Sequence, residues 1–102
     1  MSQEITMSPA RRLLPRFALG MLTATPGSMD VLQKHPGLIQ SMICRHACGD
    51  WGILEEEDKE ANEQAVQQGG RILSVYIEHE TKFYVITSSE RTETCILLPS
   101  EY

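Results

Sequence analysis

The amino-acid sequence predicts a small single-domain α+β protein in which helices pack on one face of an antiparallel sheet. Its 102 residues, 41% of them hydrophobic, suit one domain with a modest core. The middle of the chain carries apolar residues at helical spacing, and the last third alternates apolar and polar residues as strands do. We therefore expect a loose leader over residues 1–15 and one domain over residues 16–102, with the element order β-α-α-α-β-β-β.

The start of the domain is expected to form a strand and a short helix. Residues 16–24 place apolar side chains alternately on two faces and lie between Pro15 and Pro26, which predicts a strand. The helix that follows should be capped by Ser28, whose hydroxyl can accept a backbone N–H bond. The His-Pro-Gly run at residues 35–37 should end it, because the residue before a proline is biased away from helical geometry.

Residues 38–47 have the clearest helical pattern in the chain. Four residues follow the spacing i, i+3, i+4 and i+7, namely Ile39, Met42, Ile43 and His46. His46 is therefore expected on or beside the buried face, where a histidine is more often a core-edge residue than a catalytic base.

A third helix and three strands are expected in the second half. Residues 55–68 begin with four acidic residues, which favour a helix N-terminus, and are followed by two glycines. Asp58 and Asn62 lie four residues apart on the side that carries the few apolar residues, so we expect both to face inward. Three alternating segments then predict an antiparallel meander, at residues 71–77, 82–87 and 92–98.

Charge and composition narrow the classes of function. The net charge is −5, and residues 53–102 hold four Lys/Arg against eleven Asp/Glu. This acidic half disfavours nonspecific nucleic-acid binding and suits a basic protein partner. No apolar run approaches the ~20 residues that span a bilayer, and no secretory signal is recognisable, so we expect a cytoplasmic protein with no membrane partner. The three cysteines are expected to be reduced.

The segment from His46 to Gly52 contains the only tryptophan, placed between two glycines. The favoured interpretation is structural: a helix C-terminus, a turn held by the carboxylate of Asp50, and the indole of Trp51 as an apolar anchor. The alternative is a binding or catalytic corner built from the same three side chains.

Polar residues at the junctions of the second and third helices with the meander form the candidate site. The predicted binding residues are Asp50, Trp51, Asp58, Asn62, Arg71 and Tyr76. Asp50 or Asp58 paired with Arg71 would make a polar network, which more often fixes a fold than performs chemistry. If the protein is an enzyme, the catalytic group would be His46, Asp50 and Arg71.

No metal site or cofactor is expected. In a helix, Cys44 and Cys48 share one face and His46 points about 200° away, so the three cannot converge on one zinc ion. The sequence also lacks a phosphate-binding glycine loop, a nucleophile elbow and a zinc-protease motif.

Several segments together resemble a family of small proteins from bacterial plasmids and integrative elements. They are HACGDWG, GRILSVY, YVIT and RTETCILLPSEY, with Asp58 and Asn62 between the first two. The family, often described as plasmid-related proteins and sometimes labelled type I restriction subunit M, has no activity to transfer. Residues matching its pattern are His46, Gly49, Asp50, Trp51, Gly52, Asp58, Asn62, Gly70, Arg71, Ser74, Tyr76, Ile86, Thr87, Arg91, Thr94, Pro99, Glu101 and Tyr102. Departures are Tyr84, Ser88 and Glu90, where the family carries Trp, Glu and Asp.

The resemblance implies residence on a mobile genetic element. We expect a non-enzymatic protein-interaction module that interferes with a host defence complex, such as a restriction or CRISPR complex, with a host or element-encoded protein as partner. A homodimer is expected if a meander edge is exposed. One alternative is a small enzyme acting on a nucleotide or phosphoester. The other is a nucleic-acid binder using Arg11, Arg12, Arg16, Arg45 and Arg91.

Overall fold

The computed structural model describes residues 14–102, which form one α+β unit with the predicted element order. The strands are β1 (Met21–Ala24), β2 (Ile72–Glu78), β3 (Thr81–Thr87) and β4 (Glu93–Leu97). The helices are α1 (Pro26–Leu32), α2 (Leu38–Ala47) and α3 (Glu56–Gln68), and a 3-10 turn occupies Pro99–Glu101. Nearly all of the predicted leader lies outside the described residues.

The sheet is mixed, whereas the sequence predicted an antiparallel one. Its strand order is β1-β4-β3-β2, with β2, β3 and β4 forming the predicted antiparallel meander. Strand β1 pairs in parallel with β4, and Met21 lies opposite Glu93. Because parallel strands end at the same edge of a sheet, the start of α1 and the turn after β4 lie side by side.

Strand β1 is shorter than predicted because the backbone bends at Gly20. This glycine has a φ of +68°, and a Cβ atom there would lie 2.2 Å from the carbonyl carbon of Thr92. The preceding residues instead cross the end of α2, where the Arg16 N–H donates to the Ala47 carbonyl at 2.8 Å. Residues 16–19 therefore form a bent connecting segment rather than part of the strand.

Helix α2 has the predicted bounds, and Met42 and His46 are fully buried in it. Helix α1 differs from the prediction at its start, because Thr25 rather than Ser28 occupies the N-cap position. The Ser28 hydroxyl is buried and lies 2.9 Å from the Ile96 carbonyl oxygen, so it joins α1 to β4.

All three helices contribute to a core on one face of the sheet, as predicted. The main cluster contains Leu32, Leu38, Met42, Tyr76, Phe83, Val85 and Ile96, and a second one contains Trp51, Ala65 and Ile72. The opposite face carries Leu73, Ile77, Tyr84, Ile86 and Cys95, none of which belongs to either cluster. We call this second side the open face.

Candidate functional site

The only histidine on α2 lies at the centre of a buried chain of hydroxyl groups. His46 has no exposed surface; its Nδ1 lies 2.6 Å from the Ser74 hydroxyl and its Nε2 lies 2.8 Å from the Thr87 hydroxyl. The Thr87 hydroxyl is 2.7 Å from that of Thr94, which donates to the Leu19 carbonyl at 2.7 Å. Helix α2, strands β2 to β4 and the segment before β1 are therefore joined through one imidazole.

The directions of these bonds define the protonation state of the ring. Since the Thr94 hydroxyl donates to the carbonyl of Leu19, its oxygen accepts the proton of Thr87. Thr87 must then accept from His46, which places the ring proton on Nε2. Nδ1 is left as an acceptor for the Ser74 hydroxyl, so the neutral ring has both nitrogens satisfied.

Burial also disfavours the charged imidazole. Removal from water lowers the pKa of His46 from 6.5 to about 4. Around the ring lie Phe17, edge-on with its centroid 5.3 Å away, and Trp51, with its centroid 6.1 Å away. A general base must reach its substrate, and this imidazole has no accessible atom with which to do so.

The corner after α2 is fixed by ion pairs and a phenol. Arg45 Nε donates to Asp50 Oδ2 at 2.8 Å, and its Nη1 lies 3.3 Å from the Glu78 carboxylate. The guanidinium lies over the Tyr76 ring, 4.3 Å from its centroid. The Tyr76 hydroxyl donates to the Asp50 carbonyl at 2.6 Å, and the Gly52 N–H donates to Asp50 Oδ1 at 3.2 Å. Asp50 thus shapes the turn, as the structural interpretation predicted.

Trp51 is part of the core rather than of the surface. It is 4% exposed, and its indole N–H donates to Glu63 at 3.1 Å. Glu63 in turn accepts two bonds from Arg16, at 2.7 and 3.1 Å, and these bonds lower the pKa of its carboxyl. Gly52 passes so close to β2 that a Cβ would lie 1.9 Å from the Val75 carbonyl oxygen. Any side chain at position 52 would therefore push the turn that follows α2 away from β2.

The predicted inward pair on α3 is half correct. Asn62 is buried, and its amide exchanges two hydrogen bonds with the Leu73 backbone, donating at 2.7 Å and accepting at 3.2 Å. Asp58 is exposed, contrary to the prediction, because it lies in the first turn of the helix, where the side chain points to solvent. Asn62 therefore holds α3 against β2.

Two further residues of the family pattern also bind backbone groups. Arg91 donates to the carbonyls of Gly70 and Ala65, both at 2.7 Å, and so joins the β3–β4 loop to the end of α3. The Glu101 carboxylate accepts the Gly27 N–H at 2.8 Å and the Thr25 hydroxyl, so it supplies the acceptor that the N-terminus of α1 needs. Both contacts stabilise the fold.

Arg71 differs from the other arginines of residues 14–102. Arg16 and Arg45 pair with carboxylates and Arg91 binds carbonyls, whereas the only contact of Arg71 is with the ring of Tyr102, 5.4 Å from its centroid. It borders two surface pockets, of about 310 and 220 Å³. Asp58 and Asn62 line the smaller one.

The structure does not assemble the conditional catalytic group of His46, Asp50 and Arg71. His46 is bound to hydroxyls in the core, Asp50 is paired with Arg45, and Arg71 lies on the open face beside Tyr102. The sequence placed Ser74 in the same group as His46, but it gave no sign of Thr87 as the second partner of the ring, of Thr94 as the partner of Thr87, or of Glu63 as the partner of Trp51. The alternation within β2 placed Ser74 and Tyr76 on one face, but the register that aligns Thr87 and Thr94 with them is set between strands.

Within residues 14–102, no cluster of three or more His, Cys, Asp or Glu side chains has the arrangement needed for a metal ion. The helices of that same region are all too short or too polar to cross a membrane. Comparison of the chain with protein-family models, curated proteins and solved structures finds no significant similarity.

Proposed function

We propose that this protein is a non-enzymatic interaction module that binds a protein partner through the open face of its sheet. The observation that carries the proposal is the surroundings of Arg71, whose guanidinium has no hydrogen-bonded or ionic partner among residues 14–102 and lies beside the exposed ring of Tyr102 and partly buried apolar side chains. Arginine and tyrosine are the residue types most enriched at the energetic centres of protein interfaces.

The open face has the composition of such a centre. Tyr84 and Tyr102 meet edge to face with their centroids 5.7 Å apart, and Tyr102 is 62% exposed. Beside them, Ile86, Cys95 and Leu97 form the apolar part of the pocket of about 310 Å³ that Arg71 borders, and Ser88, Glu93 and Glu101 form its polar part. Apolar and aromatic side chains next to a cation that has no ionic partner in the described part of the chain are typical of an interaction surface.

The chemistry of this surface defines the partner segment. An apolar side chain would fill the pocket, and a neighbouring carboxylate would pair with Arg71 in the bidentate geometry that guanidinium groups favour. The exposed acidic start of α3 lies beyond the smaller pocket and would steer a partner whose overall charge is positive. The resemblance to proteins of plasmids and integrative elements suggests a host defence complex as the source of that partner.

The two alternative functions have less support. An enzyme using His46 would need an accessible imidazole, and this one is enclosed. A nucleic-acid binder would need free cations, yet Arg16, Arg45 and Arg91 are engaged within the fold. Arg11 and Arg12 lie outside the described residues.

The test is affinity capture from a host lysate with three tagged proteins: the wild type, Arg71→Glu and Lys34→Glu. The control makes the same charge change at an exposed lysine between α1 and α2. We expect one host protein to be captured stoichiometrically by the wild type and by Lys34→Glu, and to be lost with Arg71→Glu. Capture by all three proteins, or by none, would contradict a binding site at Arg71.

A further inference from the structure

The two edges of the sheet are protected to different degrees. At the β2 edge, the N–H and C=O of Leu73 bind Asn62. The N–H and C=O of Val75 bind the backbone of Trp51 and Ile53, both within 3.0 Å. The outward backbone groups at these two positions of β2 therefore already have partners, and another strand cannot add there.

Among residues 14–102, no segment protects the β1 edge in this way. Met21 and Thr25 direct their N–H groups to β4, at 2.9 and 3.0 Å from the carbonyls of Thr92 and Ile96. Because alternate residues of a strand point their backbone groups to opposite sides, those of Leu22 and Ala24 point away from the sheet. Residues 21–24 include no proline and no charged side chain, the usual devices that prevent an edge from pairing.

An apolar groove lies beside this edge, between β1 and α2. It contains a cavity of about 290 Å³ lined mainly by aliphatic side chains, including Pro15, Leu19, Leu22, Ile39 and Ile43. A smaller cavity of about 200 Å³ continues it along β1. Leu22 is 50% exposed and Ile39 is 37% exposed, and none of the residues from 14 onward that line either cavity is charged. We call this surface the β1 groove.

We infer that a second copy of this chain occupies the β1 edge, forming a twofold dimer with one continuous eight-stranded sheet. Antiparallel pairing with the twofold axis at Thr23 sets Leu22 of each copy opposite Ala24 of the other. Each such pair exchanges two N–H···O=C bonds, so four backbone hydrogen bonds form. Leu22 then adjoins the β1 groove of the partner copy.

Charge favours a second copy over an oppositely charged partner at this surface. Each chain carries a net charge of −5, and two copies repel least where they meet through residues 21–24 and the β1 groove, whose described residues carry no charge. The charge that flanks the axis is the Glu93 carboxylate, which accepts the Thr23 hydroxyl at 2.7 Å on the open face. A basic protein would gain no carboxylate contact in the β1 groove, since neither cavity has an acidic lining residue. The dimer does not require the proposed partner site, because its axis lies at β1 whereas Arg71 adjoins β2 and Tyr84 lies on β3. The two surfaces approach each other at β4, where Glu93 also lines the Arg71 pocket.

The test is the mass of the full chain by analytical ultracentrifugation, from low micromolar to near-millimolar concentration. Ala24→Pro removes an outward N–H without touching the ladder to β4, and Leu22→Lys places a charge at the β1 groove. The control, Ile53→Lys, adds the same charge at an exposed residue beyond the β2 edge.

We expect the wild type and Ile53→Lys to reach twice the monomer mass as concentration rises, and the two β1 variants to associate at least about tenfold more weakly. Circular dichroism of each variant establishes that it is folded. A wild type that stays monomeric throughout would overturn the dimer, as would equal weakening by Ile53→Lys. Protection of the Leu22 amide from hydrogen exchange in such a monomer would show that the chain's own residues cover the edge instead.

Discussion

The covered face of the sheet encloses an imidazole and three hydroxyl groups, whereas the open face and the β1 edge expose leucine, isoleucine, methionine and tyrosine side chains. His46, which has the most reactive side chain of the candidate site, thus makes its hydrogen bonds inside the fold. The surfaces available to other molecules consist mainly of residues without reactive groups. Most polar residues of the candidate site form hydrogen bonds within the fold, whereas Arg71 remains on a surface assigned to binding.

The sharpest contrast between the two regions is at His46. Replacing it with alanine removes a buried ring and leaves the Ser74 hydroxyl without its acceptor and Thr87 without its donor, so we expect the free energy of unfolding to fall by about 3 to 5 kcal/mol. Urea denaturation measures this change. The matched control is His35→Ala, at a half-buried loop position where the ring only stacks on His79, and it should cost less than about 1 kcal/mol. If both variants lost the same free energy of unfolding, the buried hydrogen bonds of His46 would contribute no more stability than the ring stacking of His35.

The pH dependence of stability sharpens the same contrast. The pKa of His46 is about 4 in the folded protein and 6.5 when unfolded, so the unfolded chain binds the extra proton between these values. Stability is therefore fully present above pH 6.5 and falls as the pH drops toward 4, by up to about 3 kcal/mol. The carboxyl groups of Asp50 and Glu63 also have lowered pKa values, but their contribution is lost at lower pH.

Denaturation at pH 7, 6 and 5 isolates the histidine, since carboxyl groups titrate mainly below that range. A variant with both His35 and His79 changed to alanine should keep the same slope of stability against pH. A flat profile in the wild type, or a slope lost in the double variant, would contradict the assignment to His46.

A smaller effect is expected at Asn62, which joins α3 to the edge of β2. Asn62→Ala leaves the N–H and C=O of Leu73 without their side-chain partners, and we expect a loss of about 1 to 3 kcal/mol. Gln67→Ala, at an exposed position of the same helix, should change stability by less than about 0.5 kcal/mol. If Asn62→Ala left stability unchanged, water would have replaced the amide. Asn62 would then not be what protects the β2 edge from pairing with another strand.

The smallest stability changes should occur on the surfaces assigned to binding. We expect Arg71→Glu and Leu22→Lys each to shift the free energy of unfolding by less than about 0.5 kcal/mol, because neither side chain has a hydrogen-bonded partner among the described residues, 14–102. Thermal melts of dilute protein measure this. Losses of several kcal/mol would show that these residues support the fold, and would remove the distinction between interior and surface.

Much of the fold could be predicted because the relevant signals are local. The period of residues 38–47 places α2 with its observed bounds, and alternation places the three later strands within about one residue of their observed ends. The parallel pairing of β1 with β4 could not be predicted, since it joins residues about seventy positions apart. Strand β1 begins only after Gly20, later than predicted, because of a contact between Gly20 and Thr92 that no local pattern reveals.

The candidate site was predicted less well for a related reason. The turn-forming role of Asp50 and the inward position of Asn62 follow from spacing and side-chain chemistry. Instead of Arg71, Asp50 pairs with Arg45, five residues earlier across the turn that ends α2, and the sequence did not indicate this partner. Leu22 and Ile39 have the sequence pattern of core residues, but both are exposed. An apolar side chain that packs in the core cannot be distinguished by sequence from one that contacts another molecule.

The protonation of His46 tests the structural role of the buried network most directly. Nitrogen NMR of the imidazole, followed from pH 8 to pH 4.5, distinguishes the two neutral tautomers and detects the charged ring. We expect a neutral ring with the proton on Nε2 across the range to about pH 5 and no response to added nucleotides or phosphoesters. A midpoint between pH 6 and 7.5, or a shift when such a compound is added, would contradict the structural assignment and restore His46 as a catalytic base.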